Sequence, residues 1–329
     1  MSVDTFSHIV IGAGLGALAT LDPAVSSSET LSQAVLIGTV LGSNAPDFDI
    51  VYRFRGKGCY YRHHRGESHS LPAQPIWGLA LSAAILPFFP GIPFVSLFVW
   101  VLLAVVLHVL LDLLNMHGTQ LLLPFSRSWI AFDAIPLVDP FILLTHFIGF
   151  VLIFWFGSGP IFLIIYAIIF VYLAIRVFSS VLTQRQLKKH FTNAERIKLI
   201  PHIRWFRWDV IIETDADFLF GTHSFDSMVV EHTLSKRIHY PELILSSRAH
   251  QNVADFLSST HFAYPFAEKR NAGYFVFWKD LRFRSKKFFP NAAILFFTAD
   301  QKQQSSYIGM MNSLKQYKNI IKNLKKMTS

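Results

Sequence analysis

Long apolar runs separated by short polar turns occupy the first 183 residues of the chain. Six can be drawn, at about 6–20, 31–45, 74–90, 94–115, 137–157 and 160–183. A helix that crosses a bilayer needs about 20 mostly apolar residues, and the last four runs reach or approach that length. The first two are shorter. They are rich in small residues, among them Gly12, Gly14, Gly16 and Ala17, which suits close helix packing and leaves open whether they cross fully. Beyond residue 190 the pattern changes. Aromatic and β-branched runs at 204–212, 217–220, 274–278 and 293–298 predict short strands between polar turns. From Tyr307 onward Lys315, Lys318, Lys322, Lys325 and Lys326 fall at helical spacing, which predicts a basic amphipathic helix on anionic lipid or in solvent. The expected fold is an α-helical polytopic membrane domain of about six helices (1–189), a small β-rich soluble domain (190–306) and a basic C-terminal helix (307–329).

Composition agrees with this division. Hydrophobic residues make up 52% of the 329, and mean hydropathy is +0.38, more apolar than soluble chains of this size. The net charge of +9 does not argue for nucleic acid, and no nucleic-acid partner is expected, because membrane proteins concentrate Lys and Arg in cytoplasmic loops. The segment 52–65 carries Arg53, Arg55, Lys57, Arg62 and Arg65, and the exit from the sixth run carries Arg176, Arg185, Lys188 and Lys189. The turns at 21–30, 91–93 and 158–159 carry no Lys or Arg. The expectation is a multi-pass plasma-membrane protein, embedded in the lipid bilayer, with both termini cytoplasmic. Cys59 is the single cysteine, which excludes an internal disulfide and a cysteine metal cage. The N-terminus lacks a basic n-region and a cleavage site, so the first helix is expected to be retained.

The polar exceptions to the apolar pattern carry the candidate chemistry. His8, Asp47, Asp49, His64, His69, His108 and Asp112 all map to the cytoplasmic end of the predicted bundle. Ionisable residues are costly within a bilayer and tend to be functional there. His108 and Asp112 stand four apart in an apolar helix and share a face. They suit two ligands to one cation, or a buried hydrogen bond that locks two helices. Asn115 and His117 follow directly. Asp47 and Asp49 alternate after Pro46, as in metal bridging or general-base work, or as ordinary turn residues. The densest stretch runs from His63 to Ser70 and includes His64, Arg65, Glu67, His69 and Ser70. Its imidazoles suit zinc, Arg65 suits an anionic substrate group, and Glu67 suits a base or ligand. A solvated basic loop would explain the arginine but not the histidines. Asp4 and Asp139 are placed to cap helices, with support of a metal ligand as the alternative for Asp139.

The ordered set of Asp4 and His8; Pro46, Asp47 and Asp49; His64, Arg65, Gly66, His69 and Ser70; His108, Asp112, Asn115 and Gly118; Pro124, Phe125 and Ser126; and Asp139 and Pro140 resembles the LexA-regulated, membrane-bound metal-dependent hydrolases, the YdjM-like family. The resemblance covers about residues 1–145, and the membrane part extends it to 183. The segment 278–283 in the β-rich region is similar to the longer, YfhP-type branch. The family is distantly similar to all-α zinc phospholipases C and P1-type nucleases, which implies a phosphoester substrate by analogy.

The expected function is metal-dependent hydrolysis of a phosphoester or ester, small-molecule or lipid, at the cytoplasmic membrane face. One or two divalent ions, zinc foremost, are expected on His8, Asp47, His64, His69, His108 and Asp112. Arg65 would position the substrate, and Asp49 or Glu67 would act as base. Asp4, Ser70, Asn115 and Asp139 would support the ligands. The alternatives are a membrane metal sensor that does no chemistry, and a cation transporter. Against the transporter, the sequence shows no broken-helix pair at the membrane midplane. The oligomeric state is not legible in the sequence.

Overall fold

The computed structural model describes residues 3–225, 227–271, 273–284 and 288–326, apart from the side chains of Val3, Asp4, Gln304 and Lys326. The N-terminal region is helical apart from turns and the loop 115–139: α1 (Val3–Leu18), α2 (Pro23–Ser26), α3 (Glu29–Gly42), a 3-10 segment (Pro46–Arg55), α4 (Lys57–His63), a 3-10 turn (Glu67–His69), α5 (Ala73–Ile85), α6 (Phe94–Leu114), α7 (Pro140–Phe156) and α8 (Ser158–His190). The six apolar runs coincide with α1, α3, α5, α6, α7 and α8. Local chemistry sets their ends. Ser28 caps α3, and Asp139 caps α7 ahead of Pro140.

The number of crossings is smaller by length than the hydrophobic pattern suggested. Among the described residues, α6 and α8 alone are long and apolar enough to span by themselves. A third candidate is a bent pair, Lys57–His69 with Ala73–Phe88, whose halves meet at 84°. The fold thus contains one bent pair, where the sequence pattern showed no broken-helix pair at the membrane midplane. Helices α1, α3 and α7 have 16, 14 and 17 residues, or about 21–26 Å at 1.5 Å per residue, against a hydrocarbon layer of about 30 Å. Bulky apolar side chains nevertheless face outward along α7 and α8, including Phe147, Phe154, Trp155, Leu163, Phe170 and Phe178. An apolar surface of this extent suits lipid contact.

Helices α1 and α3 pack closely because small residues let their backbones meet. A Cβ at Gly12 would run into Ser43 Oγ and lie 2.7 Å from the Thr39 carbonyl oxygen. This close approach sets the spacing between His8 on α1 and Ser43 at the end of α3.

The remainder forms two four-stranded antiparallel meanders. The first is β1 (Arg196–Pro201), β2 (Arg207–Glu213), β3 (Asp217–Ser224) and β4 (Ser227–Ser235). After α9 (Pro241–Ser247) and α10 (Gln251–Ser258), the second is β5 (Ala263–Arg270), β6 (Gly273–Asp280), β7 (Asn291–Phe297) and β8 (Gln303–Met310), followed by α11 (Leu314–Lys326). All of β7 and most of β6 are buried, as expected for a sheet covered on both faces. The basic tail starts later than its lysine spacing suggested, because residues 307–310 pair in β8 and the helix begins at Leu314. Its apolar face is also not free for lipid: Ile321 and Leu324 are buried against Phe275, Phe277 and Phe296.

Two junctions tie the halves together. Helix α8 has 33 residues, about 50 Å, so it outruns the hydrocarbon layer. Its last turns reach the first sheet, where Leu187 packs with Ile197, Leu199 and Trp208. Buried Arg176 of α8 donates to the carbonyls of Ala134 and His202, and Lys198 of β1 pairs with buried Asp133 at 2.6 Å. The second junction is α4. Arg62 donates to Asp255 of α10 through Nε at 2.8 Å and Nη2 at 2.6 Å, and the Tyr61 hydroxyl donates to Asn291 of β7 at 2.7 Å.

Candidate metal centre

Four side chains from three separate stretches converge where α3, α6 and the 46–69 segment meet. Asp47, His69, His108 and Asp112 each offer one ligand atom, and these atoms lie within 4.8 Å of one another. His69 Nε2 is 3.3 Å from His108 Nε2, 3.3 Å from Asp112 Oδ2 and 3.5 Å from Asp47 Oδ1. His108 Nε2 is 3.5 Å from Asp112 Oδ2 and 3.8 Å from Asp47 Oδ1. A tetrahedral cation with bonds of about 2.0–2.2 Å would set neighbouring ligand atoms about 3.3–3.6 Å apart. The donor set therefore fits a zinc-sized cation. Two of its oxygens, Asp47 Oδ1 and Asp112 Oδ2, are buried with no hydrogen-bond donor. Buried carboxylate oxygens ordinarily have one, and a cation would satisfy both.

The surrounding residues fix which atom of each ligand faces the centre. His108 Nδ1 lies 2.7 Å from the Ser43 carbonyl oxygen, which can only accept, so Nδ1 carries the proton and Nε2 is left as the ligand atom. Ser68 Oγ donates to Asp49 Oδ2 at 3.2 Å, and its lone pair accepts from His69 Nδ1 at 2.9 Å. That chain leaves His69 Nε2 facing Asp47 and Asp112. The Asp112 carboxylate is held at Oδ1 by Arg65 at 2.8 Å and by the Asn115 amide at 3.1 Å, which turns Oδ2 inward. Burial would raise the Asp47 carboxyl, but the neighbouring imidazoles of His69 and His108 hold it well below the usual carboxylate range. Burial and the cations Arg65 and Arg282 push the nearby His117 well below the usual imidazole value.

Several roles expected from the sequence change once the fold is known. Arg65 is buried on Asp112 and Asn115, so it is committed to a candidate ligand carboxylate rather than free to position a substrate. Asp49 is buried and accepts from His64, Arg65 N–H and Ser68, so it organises the loop and does not face an open cavity as a base. Glu67 is 68% exposed and pairs with His63, away from the four ligand atoms. His64 pairs through Nδ1 with Asp49 at 3.0 Å and stacks on Tyr60. It forms a second group with Asp47 and Asp49, but the Asp49 oxygens there are already satisfied. His8 packs against the His108 ring with centroids 4.0 Å apart, and its Nε2 is 4.0 Å from Asp112 Oδ1, beside the four atoms rather than among them. Ser70 closes its own turn on the Glu67 carbonyl. Asp139 caps α7 and accepts from the Tyr172 hydroxyl. The Asp4 side chain lies outside the described residues. Sequence reasoning did not assign roles to Ser43, whose carbonyl leaves no trace in side-chain identity, or to Ser68, which was visible only as a hydroxyl beside His69.

Removing a residue that orients a metal ligand typically lowers metal affinity about 10- to 100-fold. Asn115→Ala is expected to weaken zinc binding within that range, measured by competition with a chromogenic chelator. An unchanged affinity would mean that Arg65 alone holds Asp112 in place.

A family model described as YdjM inner membrane protein matches residues 3–182, and one described as YfhP C-terminal alpha/beta plait domain matches residues 242–321. The chain is 35% identical over 316 residues, 94% of its own length and 96% of the relative's, to the "Uncharacterized protein YfhP" of Bacillus subtilis (strain 168). No solved structure matches. The first match covers the helical region that holds the His and Asp cluster and the second covers the second sheet, and the chain belongs to the YdjM inner membrane protein family, in its long, YfhP-type form.

Proposed function

We propose that this protein is a membrane-bound hydrolase that uses one divalent cation, zinc by its donor set, to cleave a phosphoester or ester at the cytoplasmic membrane face. The observation that carries this reading is the convergence of two imidazole nitrogens and two undonated carboxylate oxygens at tetrahedral spacing. Asp47, His69, His108 and Asp112 would hold the ion. When bound, the cation would supply a lowered pKa for water and polarisation of the scissile group. The chain's own residues do the rest. Asp49 accepts from His64 Nδ1 and orients its ring, so His64, at the mouth of the site, is the group placed to move a proton. Arg65 and Asn115 keep Asp112 aimed inward.

Six crossings with both termini cytoplasmic remain part of the proposal. The basic 52–65 segment supports it, and the short helices α1, α3 and α7 would have to cross where the bundle thins the bilayer. A second reading, cation transport, is favoured by the bent pair, because discontinuous helices often mark ion paths. His69 lies at the end of its first half. Divalent-cation uptake into proteoliposomes discriminates: transport requires accumulation, and a hydrolase gives none.

The direct test is elemental analysis of detergent-purified full-length protein beside His69→Ala/His108→Ala, followed by turnover of aryl phosphodiesters before and after chelation. The expected result is about one equivalent of zinc in the wild type, as a single four-residue donor set open to water would hold, lost in the variant, and turnover abolished by the chelator and restored by zinc. A wild-type protein without metal after reconstitution would overturn the reading.

A further inference from the structure

A cavity of about 510 Å³ opens beside the metal centre, and the C-terminal domain supplies much of its wall. Asp47, His64 and Arg65 line its inner end. Arg53, Lys57 and Tyr60 also line it, together with Arg282, Phe283, Asn291 and Met310 of the C-terminal domain. The volume falls within the range of about 300–1,000 Å³ typical of small-molecule sites. It is too small for a folded partner.

The charges in the wall are unequally committed. Arg65 is bound to Asp112, and Arg282 is held by both oxygens of Asp280. Arg53 and Lys57 have no carboxylate partner among the described residues. Each is backed by an aromatic ring, Arg53 over Tyr60 at 5.2 Å and Lys57 over Tyr307 at 5.3 Å. Among the described residues of the lining the one carboxylate is Asp47, itself a candidate metal ligand. Two uncommitted cations in the lining of a cavity beside the cluster make a field that draws anions. In the same lining Phe283, packed on His117 with centroids 5.3 Å apart, and Met310 offer apolar surface. The wall is held in place through α4, whose residues Tyr61 and Arg62 bond Asn291 and Asp255 and whose C-terminal neighbour is His64.

We propose that the C-terminal domain is the substrate-recognition wall of this site, and that the cavity takes a small organic phosphate, with its anion on Arg53 and Lys57 and its apolar group against Phe283 and Met310. This deepens the hydrolase reading and rests on it for the reaction, but not for binding. A soluble phosphate ester and the headgroup end of a short-chain phospholipid share the required chemistry.

The test is binding of three probes to full-length protein in detergent: inorganic phosphate, phenyl phosphate and dihexanoyl phosphatidic acid. Wild type, Arg53→Gln/Lys57→Gln and Phe283→Ala are compared, with metal content measured on the same samples. Losing charge-assisted bonds should weaken phenyl phosphate about 10- to 100-fold in the Arg53→Gln/Lys57→Gln variant, with metal content at the wild-type level. Phe283→Ala should weaken phenyl phosphate and leave inorganic phosphate unchanged. Tighter binding of the short-chain lipid would identify a lipid source, and tighter binding of phenyl phosphate a soluble one; both support the cavity. Wild-type affinity for phenyl phosphate in the Arg53→Gln/Lys57→Gln variant, or in Phe283→Ala, would overturn it. Both substituted cations are exposed, so folding should survive their loss. Absence of metal in all samples alongside intact probe selectivity would sink the hydrolase reading and leave this one standing.

Discussion

Asp112→Ala is expected to lose the cation and to destabilise the protein even when no metal is present. The metal effect follows from the loss of one of four converging ligand atoms. The second effect comes from Arg65, which is buried with its guanidinium on Asp112 Oδ1. Breaking one partner of a buried ion pair typically costs about 3–5 kcal/mol, because the remaining charge is left in a poor solvent. His69→Ala removes a ligand without stranding a charge on an arginine. In chelator-treated protein, thermal unfolding in detergent should therefore rank Asp112→Ala below His69→Ala, while both lack metal. A full equivalent of metal in purified Asp112→Ala would exclude this carboxylate as a ligand.

Lys198→Met should be about as destabilising, at the junction where β1 meets the loop before α7. Lys198 Nζ lies 2.6 Å from Asp133 Oδ1, and both side chains are about nine-tenths buried. Burial pushes the Asp133 carboxyl up to about 6 against the pull of Lys198, and it also lowers the Lys198 ammonium against the pull of Asp133. Both groups are thus shifted toward their neutral forms, so desolvation outweighs attraction across the pair. Removing the lysine alone leaves a buried carboxylate and should cost about 3–5 kcal/mol, whereas removing both charges is often neutral or stabilising by about 1–4 kcal/mol. Asp133 has a φ of +53°, a conformation that asparagine tolerates, so Asp133→Asn/Lys198→Met is the suitable double variant. Its unfolding midpoint should match or exceed that of the wild type, with Lys198→Met well below both. A double variant as unstable as the single one would mean that the charges, and not merely their pairing, hold the junction.

Much of the helical half was legible in the chain, because lipid-facing helices must be apolar along their length and the residues that break this rule stand out. The runs that became α1, α3, α5, α6, α7 and α8, and the polar residues Asp47, His69, His108 and Asp112, could be named from their positions alone. The i, i+4 spacing of His108 and Asp112 already put two ligand atoms on one face. The number of crossings was not legible, since α1, α3 and α7 stop short of a bilayer's thickness and the bend between Glu67–His69 and α5 is a property of the folded chain.

What each candidate residue does was decided by tertiary contacts. His64 and Arg65 are adjacent and Asp49 lies 15 residues before His64, and by sequence all three are equally plausible in any role. Their assignments follow from what lies across from each: Asp112 for Arg65, the Ser68 hydroxyl and His64 for Asp49, and an open cavity for His64. The reach of the C-terminal domain to the site was also invisible, because Phe283, Asn291 and Met310 lie far along the chain from Asp47 and no periodicity links them. The sequence by itself determined which residues could not be lipid-facing, since desolvation penalties act on each side chain separately. Only the tertiary structure determined which of them meet, because a ligand set and a cavity depend on distances between segments that no local pattern encodes.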